Sequence, residues 1–396
     1  MIQYNASVQQ QLPWNMALGV AYVGNHGVHL PMVRDGNPIP PTTLGPCGDP
    51  ASRCVNGKVP FWNNSCTGTP LPAGCSSPYS NLNPNFGSDI NIGTFADSRY
   101  NALQVQLEKR TSHGLEFSAA YTRSRVTDET QGQANIQDCI VSGGLLSVYP
   151  LDPKVDKGPA CFNIPNNWEF NALYHFPNRM VGNGFAAKML NGWFMSSIVS
   201  VQSGQPFSPI VINNRSLSGV AQAQQGDRVN INTPALLAAY PCTSHGIPLG
   251  TPGAGSNPCM YNPIPYDPNT VITGDPNQWF NPAMFSMAPN CTGPGLTNCS
   301  NSIGQLGTAG RNILSGPPER DWDFSVVKQT KLGFLGEGGM LEFRAEFFNI
   351  LNHTNFQAPN FLTDNNNNSV DQPNGGILAS TATTSRQIQL GLKLIW

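Results

Sequence analysis

The chain has 396 residues, a formal net charge of −2 and only 11% charged residues, against ~25% in ordinary soluble domains. Charge this sparse and balanced leaves no electrostatic footprint for nucleic acid and no acidic solvating tail. Polarity comes instead from Asn, Gln, Ser and Thr, with 40 Gly and 35 Pro, a mixture that suits turns and long loops and suits helices poorly.

No apolar run reaches 18 residues, so no membrane-spanning helix is encoded. The start (residues 1–8) has no basic segment followed by an apolar core and reads as a strand, not as an export signal. Residues 2–12 put Ile2, Tyr4, Ala6 and Val8 on one face; after a turn at Pro13-Trp14-Asn15, residues 16–24 do the same with Met16, Leu18, Val20 and Tyr22. Such alternation predicts a hairpin. From about 25 to 98 no periodicity is sustained.

Residues 99–110 align Leu103, Val105 and Leu107, and residues 115–124 align Leu115, Phe117, Ala119 and Tyr121 across a Thr111–Gly114 turn. A second loop (about 125–166) leads to residues 167–176, with Trp168, Phe170, Ala172, Tyr174 and Phe176 together. Residues 193–203 follow with Trp193, Met195, Val199 and Val201. The longest loop, about 204–320, holds most of the prolines, and its Pro234–Tyr240 stretch predicts a short helix. Residues 321–331 (Trp322, Phe324, Val326) and 340–350 (Leu341, Phe343, Ala345, Phe347) flank a Gly-rich turn. A loop over about 351–384 precedes the last strand, where Ile388, Leu390, Leu392, Leu394 and Trp396 share one face.

Tight turns and loops of tens of residues therefore alternate, as they do in a transmembrane β-barrel with short periplasmic turns and long external loops. The expected fold is all-β: an antiparallel transmembrane β-barrel, incomplete at about nine strands, with long extracellular loops. Nine is odd and bacterial barrels use even numbers, so residues 1–396 read as the C-terminal part of a larger barrel. The greasy rows are expected to face outer-membrane lipid and their polar neighbours a wet bore. The aromatics Tyr22, Tyr121, Trp168, Trp193, Trp322 and Trp396 read as interfacial girdles.

The ten cysteines all lie in the loop stretches, and no spacing fits a zinc template. Proximity in sequence suggests Cys139–Cys161, Cys242–Cys259 and Cys291–Cys299 as loop staples, with two more bridges among Cys47, Cys54, Cys66 and Cys75. This pattern fits an oxidising compartment.

Several stretches resemble Oar-like, TonB-dependent outer-membrane receptors. They are Tyr4–Pro13, Ala21–Gly27, Tyr100–Gln104, Ser203–Phe207 and, most specifically, Gly310-Arg311-Asn312 … Trp322-Asp323 … Phe343–Phe356 with the aromatic C-terminus. The resemblance implies a barrel of about 22 strands, with an N-terminal plug and a box contacting the TonB energising complex. Neither the plug nor the N-terminal domains are expected within residues 1–396. It implies binding and TonB-energised uptake of an external solute, with no catalytic residues.

The candidate sites are sparse. Glu342, Arg344 and Glu346 alternate on one polar face, where they line a lumen, grip a plug or simply neutralise one another; neutralisation is the simpler reading. Arg311 and Arg320 lie near the start of one strand, where an anionic solute could reach them, though ordinary exposed loop arginines are the simpler reading. His26 and His29 lack further ligands for a metal. The Asp364–Asn368 run lacks the EF-hand pattern, and neither HExxH nor GxSxG occurs. No cofactor and no metal is expected. The rival functions are a non-transporting outer-membrane surface or adhesion protein with disulfide-stapled loops, and a secreted β-sandwich.

Overall fold

In a computed structural model of the chain, the residues described are 1–46, 58–129, 147–178, 180–182, 184–211, 216–219, 227–239, 244–245, 258–259, 261–286, 291–292, 298–299, 303–336, 338–359, 369–370 and 374–396. Every alternating segment becomes a strand: β1 (Ile2–Leu12), β2 (Met16–Asp35), β3 (Ile90–Ser112), β4 (Leu115–Asp128), β5 (Asn166–His175), β6 (Trp193–Gln202), β7 (Glu319–Lys331), β8 (Met340–Phe348) and β9 (Gln387–Ile395). They form one antiparallel meander in chain order, with β1 and β9 as its two edges and a short piece, Gly158–Pro159, added beside the end of β4.

The tight connections share one end of this wall. Trp14 and Asn15 both take φ near 60°, and the β3–β4 turn is made by His113 and Gly114 at φ 53° and 79°, the left-handed pair that matches the twist of a two-residue hairpin. Gly114 has a second reason: a Cβ there would lie 2.4 Å from the carbonyl oxygen of His175 on β5. A short helix, α1 (Phe185–Leu190), fills the β5–β6 connection.

Two loop boundaries differ from expectation. The first long connection spans about 36–89, not 25–98, because β2 and β3 stay paired out to Asp35 and Ile90. Register shifts around Leu30 interrupt the ladder there, and His29 sits at φ 56° beside them. Each bulge breaks the period-two pattern, so this stem carries no alternation to read. Pro31 is tolerated at such an irregularity. The second loop likewise begins after Asp128.

The buried core lies almost wholly in the long connections. Trp62, Phe207, Phe280, Leu306, Leu314, Val211 and Val229 are fully buried there, whereas the nine strands contribute Met32, Val33, Ala96, Ala102 and Val327 among the described residues. One cluster joins Phe207, Val229 and Phe280 of the third connection to Ala358 and Val370 of the fourth. Another joins Trp62, Tyr149 and Leu306, from the first, second and third. The helix expected near 234–240 is present as α2 (Pro234–Ala239), with the Thr233 hydroxyl accepting from Leu236 N at 3.1 Å. Small strands Thr43–Pro46, Lys58–Asn63 and Ile303–Gln305, not foreseen, tie the first connection to the third.

Candidate functional site: a two-faced wall under clasped loops

Side chains alternate along each strand, so the register decides whether nine separate alternations share a face. They do. Leu390 stands opposite Ala345, which stands opposite Val326; the row continues through Met195, Tyr174 and Leu115. In the neighbouring strands Leu107 pairs with Ala119 and Leu18, and Val20 with Val8. Every expected apolar row therefore lies on one side of the wall. No second sheet covers it: Ile388, Leu390, Leu392, Leu394 and Trp396 are exposed, Leu392 at 72% and Trp396 at 84%. Exposed to water, each would forgo about 1.5–3 kcal/mol of burial.

The same register sorts the charges of the paired strands. Most carboxylates there (Glu108, Glu116, Asp128, Glu169, Glu319, Asp321, Asp323, Glu342 and Glu346) fall on the polar face, together with Lys331, Arg344 and Lys393. Charges on the apolar face are confined to its two ends and are mostly cations, with Asp97 beside Arg99 as a carboxylate among them. Lys109 and Lys328 sit by the tight turns; Arg99, Arg123, Arg125 and Arg320 sit by the long loops.

Of the expected site residues, Glu342, Arg344 and Glu346 do come together. Arg344 Nη2 lies 3.0 Å from Glu342 Oε1 and Nη1 lies 3.3 Å from Glu346 Oε1, while Gln329 donates to Glu342 Oε2 at 2.9 Å. Glu342 also faces Lys393 in register. The ladder satisfies itself, and Arg344 is half exposed, so it contributes little stability.

The girdle aromatics all lie on the apolar face. Tyr4 and Tyr22 hydroxyls both donate to Asn101 Oδ1, at 2.9 and 2.8 Å. The Tyr4 ring reaches there by lying across Gly24, where a Cβ would come within 2.0 Å of it. Tyr121 donates to Asn166 Oδ1 at 2.8 Å and Trp322 to Ser197 Oγ at 2.9 Å. These four polar tips are thus bonded to other strands while the rings stay apolar.

The loops are clasped to each other by buried ion pairs that the sequence did not signal. Arg311 corrects an expectation: it is not open to solute at a mouth but buried, its guanidinium on both the carboxylate and the backbone carbonyl of Asp128. Its position at the crossing with Gly158 leaves no room for a side chain on that glycine. Nearby, Arg228 Nη2 lies 3.5 Å from Asp156 Oδ1, and Asp156 Oδ2 accepts from Ser147 Oγ at 2.6 Å. Adjacent Asp227 is buried and accepts from Ser216 N; burial pushes its carboxyl above the ordinary carboxylate range. Burial likewise raises Glu129.

Of the cysteines, Cys66 bridges Cys75, within the first four as expected. Cys161 is disulfide-bonded; Cys139 and Cys242 lie outside the described residues. Backbone register sets Cys291 directly opposite Cys299, and Cys259 opposite His245. The Asp364–Asn368 run lies outside the described residues. Among those described, no group of His, Cys, Asp and Glu is placed to hold a metal.

A meander with one greasy, uncovered face, one polar face and all its long loops at one end is the wall of a transmembrane β-barrel. The chain belongs to the outer membrane beta barrel domain family, whose model matches residues 1–389; it is a protein of the outer membrane. Among solved structures it is similar to the outer membrane transporter YddB from Escherichia coli, with 7% identity and a TM-score of 0.41, over 98% of this chain and 32% of that one. The chain thus spans about a third of that transporter's length. No curated protein matches it.

Proposed function

We propose that the chain is the barrel portion of a TonB-dependent, Oar-like receptor that binds an external solute and admits it by energised uptake. The observation that carries this reading is the pairing of an acid-rich polar face with external loops already folded around a common core. A solute meeting such loops encounters a pre-ordered surface, and binding then costs less conformational entropy than it would on free loops. The polar face beneath, bearing Glu169, Asp321 and Asp323 on neighbouring strands, suits passage of neutral or cationic solutes better than anions. The energising partner, the plug and the uptake step are supported by the sequence resemblance.

The test is accumulation of a labelled solute panel by cells carrying the full-length receptor, with and without collapse of the inner-membrane proton gradient. Gradient-dependent accumulation of at least one solute, lost on deletion of the gene, supports uptake. Solute binding or cell attachment that ignores the gradient supports the rival, a surface or adhesion protein, which the buried clasps of the loops also favour.

A further inference from the structure

We infer that Arg99, Arg123 and Arg125 form a binding site for phosphorylated lipid headgroups at the external rim of the wall. The inference rests on the apolar face meeting lipid and the long loops lying outside, and it goes beyond the solute reading. Arg99 lies on β3, and Arg123 and Arg125 lie on β4, all on the apolar face. Arg125 is opposite Asn101 and Arg99 opposite Thr127. Diagonal and same-face neighbours in a sheet stand roughly 7 Å apart, so three guanidinium groups can close on one phosphate or two.

Their depth fits the membrane. Arg123 and Arg125 are the ninth and eleventh residues of a strand that starts at the tight turn at Leu115. At ~3.3 Å per residue and a tilt of ~40°, they rise roughly 20–25 Å above that turn, the height of the apolar band of an outer-membrane barrel. The tyrosine pair on Asn101 marks the same level.

Their donors are idle. Among the described residues the Arg99 and Arg125 guanidinium groups make no ion pair or hydrogen bond, and all three side chains are exposed. Arg123 has one long contact, 3.4 Å from Nη1 to Asn166 Oδ1. At the other end of this face the cations are occupied: Lys109 Nζ donates to Trp14 O and Ser112 Oγ, both at 2.7 Å, and Lys328 Nζ donates to Gln329 O at 2.8 Å. Asp97, two residues before Arg99 on β3, is the carboxylate nearest the triad on this face, so the three arginines keep a net positive charge. A guanidinium triad with excess positive charge at an interface selects phosphate, which it can bind in a bidentate fork. Lipid is the source because the three side chains project from the greasy side, away from the polar face.

The experiment measures lipid retention by native mass spectrometry on the full-length receptor in detergent. Three lipids are offered: a bis-phosphorylated acylated disaccharide, its dephosphorylated form and zwitterionic phosphatidylethanolamine. The phosphorylated lipid should be retained over the other two. Each Arg→Gln change should weaken retention about fivefold, and R99Q/R123Q/R125Q on the order of a hundredfold. K109Q should change nothing, and heat-modifiable mobility should report an intact barrel in every variant. Equal retention of all three lipids, or a triple variant that binds like the parent, overturns the proposal. Full competition by inorganic phosphate overturns the lipid source. A nitroxide at V105C that oxygen dissolved in the bilayer fails to reach would instead sink the lipid-face reading itself.

Discussion

The strand wall and the loop assembly obey opposite rules of solvation. In the wall, Leu390 and Leu392 are exposed and hardly any side chain is fully buried; in the loops, Trp62, Phe207 and Phe280 are sealed from solvent. The wall takes its apolar partner from outside the protein. The loops must make their own, and they bury ion pairs to do so. A side chain's exposure therefore means different things thirty residues apart: on the wall it marks the functional surface, and on the loops it marks the absence of core.

The largest effect should come from breaking a clasp. Arg228→Ala leaves Asp156 and Asp227 buried without their cation, and removing one partner of a buried pair costs about 3–5 kcal/mol. Hydrogen exchange should show lost protection in residues 204–320 and 147–160 while β1–β9 keep theirs; equal loss in both regions would mean that they are one cooperative unit. Next comes Phe343→Arg on the greasy side of β8, expected to cost about 2–4 kcal/mol in denaturant unfolding from vesicles, against less than ~1 kcal/mol for Gln389→Lys on the polar side. Similar costs would erase the distinction between the faces.

A third test uses pH on the loops. Asp227 and Glu129 have carboxyls raised in the folded state. The stability linked to them is fully present below the unfolded carboxylate pKa of about 4 and is lost as pH rises through the raised values. Loop protection should fall over that window, and Asp227→Asn should flatten the dependence. The smallest effect is expected for Arg344→Gln. It opens a ladder in half-exposed surroundings and should change unfolding by no more than about 1 kcal/mol.

The wall was legible because lipid imposes a period of two and nothing else competes with it. All nine strands were visible in alternation, and the register adds that their greasy rows coincide. The stem of β2 and β3 escaped because bulges around Leu30 reset the alternation that would have announced it. The loop core escaped for a different reason. Its members, such as Trp62 and Leu306, are isolated apolar residues hundreds of positions apart, and Asp128–Arg311 joins residues 183 apart. No local pattern encodes a partner at that distance. The arginine triad lay within reach, since Arg99, Arg123 and Arg125 sit at the odd positions of strands already assigned.

The clasps also constrain how this surface can diversify. A third connection transplanted alone onto another wall would arrive with Arg311 lacking Asp128, a charge interred without its counter-ion, and with Arg228 stripped of Asp156 and left with Asp227 alone. Variation on the exterior of this molecule therefore has to travel in matched sets, several loops exchanged at once, and a lone hypervariable insert is tolerated only where it leaves both arginine pockets untouched.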